Sequence, residues 1–241
     1  MNVIIKNIPN SLTLANLSCG LIAIIFTFQA DFSSATICVI IGLLFDFLDG
    51  LVARILNVRS EIGKQLDSMS DLITFGLAPA FMMFHFMYYL QNNIVFKFSI
   101  ENEIFIPALI ALTIPICSAL RLAKFNIDTN QEKSFIGLPT PALAIFFIAI
   151  PHINFDVFPM FTDLNFLRII IIIMSLLLIS HLPLFSFKIN LQEKVKSQTN
   201  FFRITLFLSS IALFFTFKFA ALPFIVILYI ILSVINNIIK K

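Results

Sequence analysis

Apolar runs long enough to cross a lipid bilayer recur along this 241-residue chain and constrain its fold more than any other feature. Hydrophobic residues make up 59% of the sequence and charged residues only 12%, against about 25% charged residues in soluble proteins. A transmembrane helix needs about 20 apolar residues, so the length allows roughly seven or eight crossings. The sequence therefore predicts an all-α, polytopic transmembrane helical bundle that forms a single domain over residues 1–241.

The polar breaks between the apolar runs predict eight helices. They cover residues 12–30, 34–56, 66–90, 104–122, 138–154, 165–183, 201–217 and 219–238. Only the stretch from Lys218 to Pro223 separates the last two. A tight helical hairpin and one broken segment both fit that stretch, so eight spans and seven spans are both open.

Lysine and arginine residues fall almost entirely in alternate loops of the eight-span arrangement. Of the 16 such residues, all but Lys97, Arg168 and Lys218 lie on one side of the membrane. Cytoplasmic loops carry the excess of lysine and arginine in membrane proteins. The distribution therefore predicts cytoplasmic termini.

Four aspartates interrupt the apolar runs of the second and third predicted helices: Asp46, Asp49, Asp67 and Asp71. The first two are spaced i, i+3 and the last two i, i+4, so each pair lies on one helical face. An ionised carboxylate in hydrocarbon costs at least about 2.5–3.5 kcal/mol, which implies a compensating ligand. Oxygen ligands select hard cations such as Mg²⁺, Mn²⁺ or Ca²⁺. Four carboxylates can hold two ions about 3.5–4 Å apart, an arrangement that clamps a diphosphate.

Small and basic residues adjoin the carboxylates. Gly50 and Ala53 share the face of the first pair and leave room for a bulky ligand, and Arg54 adds a planar donor for a phosphate oxygen. Structural ion pairs of the aspartates with Arg54, Arg59 and Lys64 are one alternative. A divalent-cation transport site is another, although the chain has no internal repeat of the kind found in many transporters.

The run from Asp46 to Asp71 resembles the signature of the CDP-alcohol phosphatidyltransferases, D-x2-D-G-x2-A-R-x8-G-x3-D-x3-D, at all eight specified positions. The resemblance implies that family's helical membrane fold and an enzyme that displaces CMP from a CDP-linked lipid with an alcohol. It further implies two bound Mg²⁺ or Mn²⁺ ions. It also implies a homodimer that is embedded in membrane lipid and has no nucleic-acid partner. The implied location is the bacterial inner (cytoplasmic) membrane, with the active site facing the cytoplasm.

The resemblance also implies roles for individual residues. Asp46, Asp49 and Asp67 match metal ligands, and Asp71 matches the residue that contacts metal and takes the proton from the attacking hydroxyl. The implied contacts to the CDP-lipid are Gly50, Ala53, Arg54, Ser60, Gly63, Thr13 and Asn16. Helix capping by Asn10 or Ser11 is an alternative explanation for the polar residues near the start of the first predicted helix.

Three further stretches resemble the bacterial phosphatidylserine synthases within this family. They are Ile8 to Gly20, Asp67 to Ala80, and the pair formed by Ala119 to Asn126 and Phe135 to Ala142. The resemblance implies CDP-diacylglycerol and L-serine as substrates. Transfer to glycerol 3-phosphate or inositol is the alternative within the family. The last three predicted helices carry no recognisable motif.

Two basic residues at the predicted cytoplasmic end of helix four suit an amino-acid acceptor. Arg121 and Lys124 are about one turn apart and can receive the carboxylate of serine, although anchoring at the membrane face explains them equally well. Pro139 and Pro141 predict a rigid turn into helix five, with Thr140 as a candidate polar contact. Such a turn could equally serve only to start that helix.

Overall fold

The structure is a computed structural model that describes residues 3–58, 60–94, 106–127, 135–185 and 198–240. In these ranges the α-helices are α1 (Val3–Phe28), α2 (Phe32–Ile55), α3 (Glu61–Asp71), α4 (Ala78–Asn92), α5 (Thr113–Ile127), α6 (Thr140–Ala149), α7 (Leu164–Ile179), α8 (Gln198–Phe217) and α9 (Ala221–Lys240). A π-helical segment, Leu72–Leu77, joins α3 to α4. Short 3₁₀ helices cover Ile106–Leu112, Ile150–His152, Pro159–Thr162 and Lys218–Ala220.

Helical segments of membrane-crossing length account for most of this architecture. Among the described residues, five are long and apolar enough to span a bilayer: Asn7–Phe28, Phe32–Ile55, Glu61–Asn92, Ala108–Ile127 and Thr199–Ile239. Two shorter apolar helices, Thr140–His152 and Leu164–Ile179, accompany them. The predicted all-α, polytopic membrane bundle is confirmed.

The last of these segments consists of two helices folded back on each other. Lys218 adopts a left-handed conformation with φ of 51°, which reverses the chain between α8 and α9. The two helices pack side by side. The ring of Phe217 lies 5.8 Å from that of Phe158, and the ring of Phe219 lies 6.3 Å from that of His152. Of the two alternatives left open by the sequence, the described residues show the hairpin.

Side-chain contacts distinguish the two ends of the bundle. At the end that we call the aspartate end, Thr13 of α1 meets Asp49 of α2, and Lys64 of α3 donates to the carbonyl of Asn126 at 2.6 Å. At the far end, Asp31 caps α2 by accepting from the Ser34 amide at 3.0 Å. Among α1, α2, the central helix and α5, successive helices therefore run in alternating directions.

The continuous helix from Glu61 to Asn92 lies at the centre of the bundle, and most of its residues are buried. Two glycines let α1 and α2 approach its π-helical segment. A Cβ on Gly20 would lie 2.8 Å from the Cα of Thr74, and a Cβ on Gly42 would lie 2.7 Å from the Cγ2 of Thr74. Contacts this close leave no space for a side chain, so these glycines fix the packing around the π-helical segment in the middle of the central helix.

The start of α1 differs from the prediction. The helix extends back to Val3, so Asn10 and Ser11 lie inside it, and the capping hypothesis for them is wrong. The Ser11 hydroxyl instead donates to the Asn7 carbonyl at 3.2 Å, and the Asn10 amide donates to the Asn7 side chain at 3.4 Å. The start was predicted at residue 12 because these polar residues were interpreted as lying before the helix. A helix can carry such residues where their side chains face solvent.

Several other helix bounds also differ from the prediction, and three of them have a clear local cause. The third begins at Glu61 rather than at residue 66, because Ser60 caps it. The fifth begins at Thr140 and becomes 3₁₀ at Ile150. The sixth ends at Ile179, because the chain then enters strand β2 (Pro183–Leu184), which pairs antiparallel with β1 (Phe135–Ile136).

Candidate active site

The carboxylates of Asp46, Asp49 and Asp67 converge where α2 meets the start of the central helix. One carboxylate oxygen from each lies within 4.8 Å of those from the other two. Asp49 is buried, and Asp46 and Asp67 are partly buried. The helical spacing therefore does bring two carboxylate pairs to one place, whereas the role of these residues as metal ligands stays a prediction.

Asp71 lies beside this three-carboxylate group, one turn after Asp67. Its carboxyl is close enough to Asp46 to share a hydrogen bond. Its Oδ1 atom is buried and has no hydrogen-bond partner within the described ranges. Clustered carboxylates with an unsatisfied buried oxygen require a cation or a shared proton, and their all-oxygen donor set fits Mg²⁺ or Mn²⁺.

The nearby basic residues make hydrogen bonds that do not involve the aspartates. The Nε of Arg54 donates to the carbonyl of Gly50 at 2.9 Å, and the Nζ of Lys64 donates to the carbonyl of Asn126. Arg59 lies outside the described residues. The contacts of Arg54 and Lys64 therefore give no support to the alternative in which the cluster is a set of structural ion pairs.

Thr13 of α1 holds Asp49 in place. Its hydroxyl lies 2.6 Å from the Oδ2 of Asp49 and 3.0 Å from the Pro9 carbonyl. A hydroxyl has one proton, and the shorter contact to a charged oxygen is the stronger bond. The Ser70 hydroxyl donates to the Thr13 carbonyl at 3.0 Å, which ties α1 to the central helix. Three helices thus fix the orientation of one carboxylate.

A cavity of about 590 Å³, which we call the aspartate cavity, opens beside the cluster. Seven residues predicted to form the site line it: Thr13, Asp49, Gly50, Ala53, Ser60, Gly63 and Asp67. A Cβ on Gly50 would meet no atom within 4 Å, so this glycine does leave open space beside the carboxylates. A volume of this size suits a nucleotide-sized ligand.

Five further lining residues were missed by the sequence analysis: Pro9, Asn10, Val58, Glu61 and Lys64. Glu61 and Lys64 flank Gly63 of the motif, and this adjacency was the available signal. Pro9 and Asn10 lie one turn before Thr13 on α1. Pro9 and Asn10 become part of the site only because α1 packs alongside α2 and α3. No local sequence pattern predicts this packing.

Two of the predicted CDP-lipid contacts do not line this cavity. Asn16 is fully buried one turn deeper than Thr13, and its side-chain oxygen and nitrogen have no partners within the described ranges. Arg54 is exposed and bonds to Gly50 of its own helix. Both residues are near the site in sequence, but Asn16 lies deeper in the bundle than the cavity and Arg54 lies at the surface.

Ser60 has a structural role in addition to its place in the cavity wall. It takes an extended conformation, and its hydroxyl accepts from the Gly63 amide at 3.0 Å, which caps α3. A Cβ on Gly63 would lie 2.9 Å from both the Ser60 hydroxyl and the Asn10 side-chain oxygen. The glycine therefore permits the cap and the close approach of α1.

The predicted acceptor residues lie outside the lining of the aspartate cavity. The Nη1 of Arg121 donates to the hydroxyl of buried Thr140 at 3.3 Å. Arg121 is also within electrostatic range of Asp71 and of Tyr229 on α9. Lys124 is exposed, and together with Arg121 it lines a second cavity. No sequence motif indicated Tyr229, because α9 reads only as an apolar run.

Comparison with known proteins agrees with this geometry. The chain matches the CDP-alcohol phosphatidyltransferase family over residues 6–179. It is 40% identical over 134 residues to a CDP-diacylglycerol--serine O-phosphatidyltransferase of Bacillus subtilis, which covers 56% of this chain and 69% of that protein. It is 35% identical over 139 residues to the protein of the same name from Helicobacter pylori, covering 57% of this chain.

An archaeal relative is similar to the same degree. The archaetidylserine synthase of Methanothermobacter thermautotrophicus is 35% identical over 141 residues, or 57% of this chain. The chain spans 54% of the length of the Helicobacter and Methanothermobacter proteins. The matched family region contains all four aspartates, the wall of the aspartate cavity and Arg121. The chain belongs to the CDP-alcohol phosphatidyltransferase family.

Proposed function

We propose that this chain transfers the phosphatidyl group of CDP-diacylglycerol to the hydroxyl of L-serine and releases CMP. The observation that carries the proposal is the carboxylate cluster of Asp46, Asp49 and Asp67, with Asp71 beside it, because Asp49 and Asp67 line a nucleotide-sized cavity. The names of the bacterial relatives support serine as the acceptor.

The cluster has the composition of a divalent-metal site. We assign Asp46, Asp49, Asp67 and Asp71 as the residues that would hold two Mg²⁺ or Mn²⁺ ions. When bound, such ions would neutralise the diphosphate and stabilise charge as the CMP phosphate departs. The hydrogen bond from Thr13 fixes the carboxylate of Asp49 for this purpose, as partners of metal ligands commonly do.

Asp71 is the base in this proposal. The serine hydroxyl forms a bond to the phosphorus next to the diacylglycerol, the bond from that phosphorus to the CMP oxygen breaks, and the hydroxyl proton passes to Asp71. A serine hydroxyl is a poor nucleophile at neutral pH, so it needs a base at the moment of attack. Burial of Asp71 Oδ1 without a hydrogen-bond partner within the described ranges leaves that oxygen free to accept a proton.

The acceptor would approach from the side of Arg121. That guanidinium lines the second cavity, is within electrostatic range of Asp71 and donates to Thr140, so it can bind the carboxylate of serine. We place this end of the bundle at the cytoplasmic face of the bacterial inner membrane, following the distribution of lysine and arginine in the loops.

An acceptor panel tests the proposal. Purified protein in nanodiscs receives CDP-diacylglycerol, Mn²⁺ and one labelled acceptor at a time: L-serine, glycerol 3-phosphate or inositol. We expect labelled lipid from serine, with one CMP released for each lipid formed and no turnover after chelation of the metal. Labelled lipid from glycerol 3-phosphate alone or from inositol alone would overturn the serine assignment.

The buried carboxylates also allow a different class of function, the transport of divalent cations. It predicts Mn²⁺ flux into liposomes that contain the protein, without any need for nucleotide. The open space beside Gly50 and the family membership favour transfer over transport. Flux in the absence of CMP release would reverse that preference.

The family resemblance further supports a homodimer as the working assembly. Mass measured by light scattering of the detergent-solubilised protein, after subtraction of detergent, tests this part of the proposal. A mass of two chains is expected, and a mass of one chain at all concentrations would contradict it.

A further inference from the structure

Two hydroxyl groups on the central helix bond to backbone carbonyls of α1, and Asp71 lies between them in sequence. The Ser70 hydroxyl donates to the Thr13 carbonyl and the Thr74 hydroxyl donates to the Asn16 carbonyl, each at 3.0 Å. All four of these residues are buried. We call this pair of bonds the hydroxyl ladder. It fixes the central helix against α1 on both sides of Asp71.

The second bond of the ladder comes from within the π-helical segment, which begins directly after Asp71. At the end of that segment the Ala78 amide donates to the Ile73 carbonyl, five residues back, whereas an α-helix bonds four residues back. The wider turn takes up one extra residue. Since each residue turns an α-helix by about 100°, loss of the wider turn would rotate both aspartates of the central helix by about that angle relative to α4.

The core holds α4 in a fixed orientation. The side chains of Ala78, Ala80, Met82, Met83 and Met87 have no exposed surface, and a close-packed interior leaves them no room to turn. A change in the π-helical segment would therefore move the carboxylates rather than α4. The direction in which those carboxylates point depends on the segment.

Thr74 joins the segment to the two helices that carry the first carboxylate pair and its hydroxyl partner. Its hydroxyl bonds to α1. Its Cα and Cγ2 atoms lie against Gly20 of α1 and Gly42 of α2, where a Cβ would be 2.8 Å and 2.7 Å away. The Thr13 hydroxyl of α1 in turn lies 2.6 Å from the Oδ2 of Asp49 on α2. The helices that touch Thr74 are therefore those that set the position of Asp49.

We infer that Ser70 and Thr74 are positioning residues for Asp67 and Asp71. By bonding to α1 they hold the π-helical segment in place, and the segment aims the two carboxylates at those of α2. A π-helical turn is rare and needs tertiary support of this kind. The inference rests on the metal site of the proposed transferase, although neither hydroxyl is assigned a contact to metal or substrate.

Mn²⁺ binding by the purified protein in nanodiscs, without substrates, tests the inference. Electron paramagnetic resonance of the free Mn²⁺ gives the Kd. Thr74→Val replaces the hydroxyl with a methyl group of similar size, and Ser70→Ala removes the other hydroxyl. Each should raise the Kd for Mn²⁺ about tenfold, as expected when a group that orients metal ligands is lost. Thr74→Ser keeps the hydroxyl and should bind Mn²⁺ as the wild type does.

Thr36→Val is the matched control. Thr36 is also a buried threonine near the carbonyl of another helix, but it lies at the far end of the bundle, in the first turns of α2. Its hydroxyl is 3.1 Å from the Ile148 carbonyl and 2.9 Å from the Nε2 of His152. Thr36→Val should lower the unfolding temperature and leave the Kd for Mn²⁺ at the wild-type value. An equal rise in Kd in Thr36→Val and Thr74→Val would overturn the inference, since it would indicate a general loss of stability.

Hydrogen–deuterium exchange shows whether the ladder acts through the π-helical segment. In the absence of metal, peptides that cover Leu72–Leu77 should exchange faster in Thr74→Val than in the wild type, and at the wild-type rate in Thr36→Val. A raised Kd for Mn²⁺ in Thr74→Val with unchanged exchange of this segment would overturn the inference.

The outcomes separate this inference from the proposed function. A wild type that binds Mn²⁺ but makes no lipid from serine overturns the proposed function alone. A wild type that binds Mn²⁺, with the same Kd in Ser70→Ala and Thr74→Val, overturns the positioning role alone. A raised Kd in Thr74→Val that Thr74→Ser does not restore also overturns it, because the hydroxyl is then not the cause. A wild type that binds no Mn²⁺ overturns the metal site and the positioning role together.

Discussion

Asp49 differs from the other carboxylates of the site in having a hydroxyl donor on a different helix, Thr13 at 2.6 Å. Thr13→Val removes this donor with little change in side-chain volume. We expect the Mn²⁺ concentration that gives half-maximal CMP release to rise about 10- to 100-fold, as is typical when the partner of a metal ligand is lost. Thr13→Ser should restore it.

Thr27→Val provides the matched control. Thr27 is equally buried on the same helix, but its hydroxyl donates to the Ala23 carbonyl within that helix. Its loss should leave the Mn²⁺ dependence unchanged. Equal metal dependence in Thr13→Val and Thr27→Val would mean that the Thr13 contact does not support the site.

At the scale of residues, the sequence predicted what helical periodicity determines. The spacings within Asp46–Asp49 and Asp67–Asp71 fix which faces carry carboxylates, and the structure brings those faces together. Periodicity does not fix how far a neighbouring helix is rotated or shifted. Asn16 therefore matched the expected pattern yet is buried and does not line the cavity, and Lys64 lines the cavity without being predicted.

At the scale of elements, the tight junction of α1, α2 and the π-helical segment positions the carboxylates. Gly20→Ala would place a methyl group 2.8 Å from the Thr74 backbone. Overpacking of this kind costs about 1–3 kcal/mol, so we expect a lower unfolding temperature. A thiol-reactive dye that reports exposure of Cys19, Cys38 and Cys117 on heating measures it.

Gly50→Ala is the control for this stability measurement, since a Cβ at Gly50 meets open space. Its unfolding temperature should match that of the wild type or exceed it slightly, because alanine favours a helix over glycine. If both alanine variants unfold at the wild-type temperature, the junction is looser than the structure indicates.

The π-helical segment itself was not predicted. The sequence from Leu72 to Leu77 contains no residue that demands a wider turn, and such segments form where tertiary packing favours them. Here the Thr74 hydroxyl donates to the Asn16 carbonyl at 3.0 Å from within the segment. An element stabilised by contacts with a distant helix leaves no local pattern in the sequence.

At the scale of the whole molecule, the packing of the described helices places both described ends of the chain at the aspartate end. We expect Gln29→Cys and Thr216→Cys, in a variant whose native cysteines are alanine, to react with a charged thiol reagent added outside intact cells. Asn200→Cys, at the opposite end of α8 from Thr216, should react only after permeabilisation. Labelling of Thr216→Cys and Asn200→Cys from the same side would contradict a membrane crossing by α8.

The distribution of basic residues predicted this topology because loop charge is a property of the whole chain. Contacts between distant segments could not be predicted in the same way. Tyr229 on α9 reaches the surroundings of Arg121, although α9 carries no motif and lies outside the matched family region. The second cavity likewise depends on the end of α7 meeting the end of α5. The single domain over residues 1–241 stays a prediction.

The central claim is that the aspartate cluster catalyses phosphatidyl transfer with Asp71 as the base. The most direct test is serine-dependent CMP release by Asp71→Asn in nanodiscs, beside the control Asp31→Asn, which keeps a capping side chain on α2 at the far end of the bundle. We predict near-total loss of release for Asp71→Asn, with normal membrane insertion, and wild-type release for Asp31→Asn. Substantial turnover by Asp71→Asn would contradict the claim.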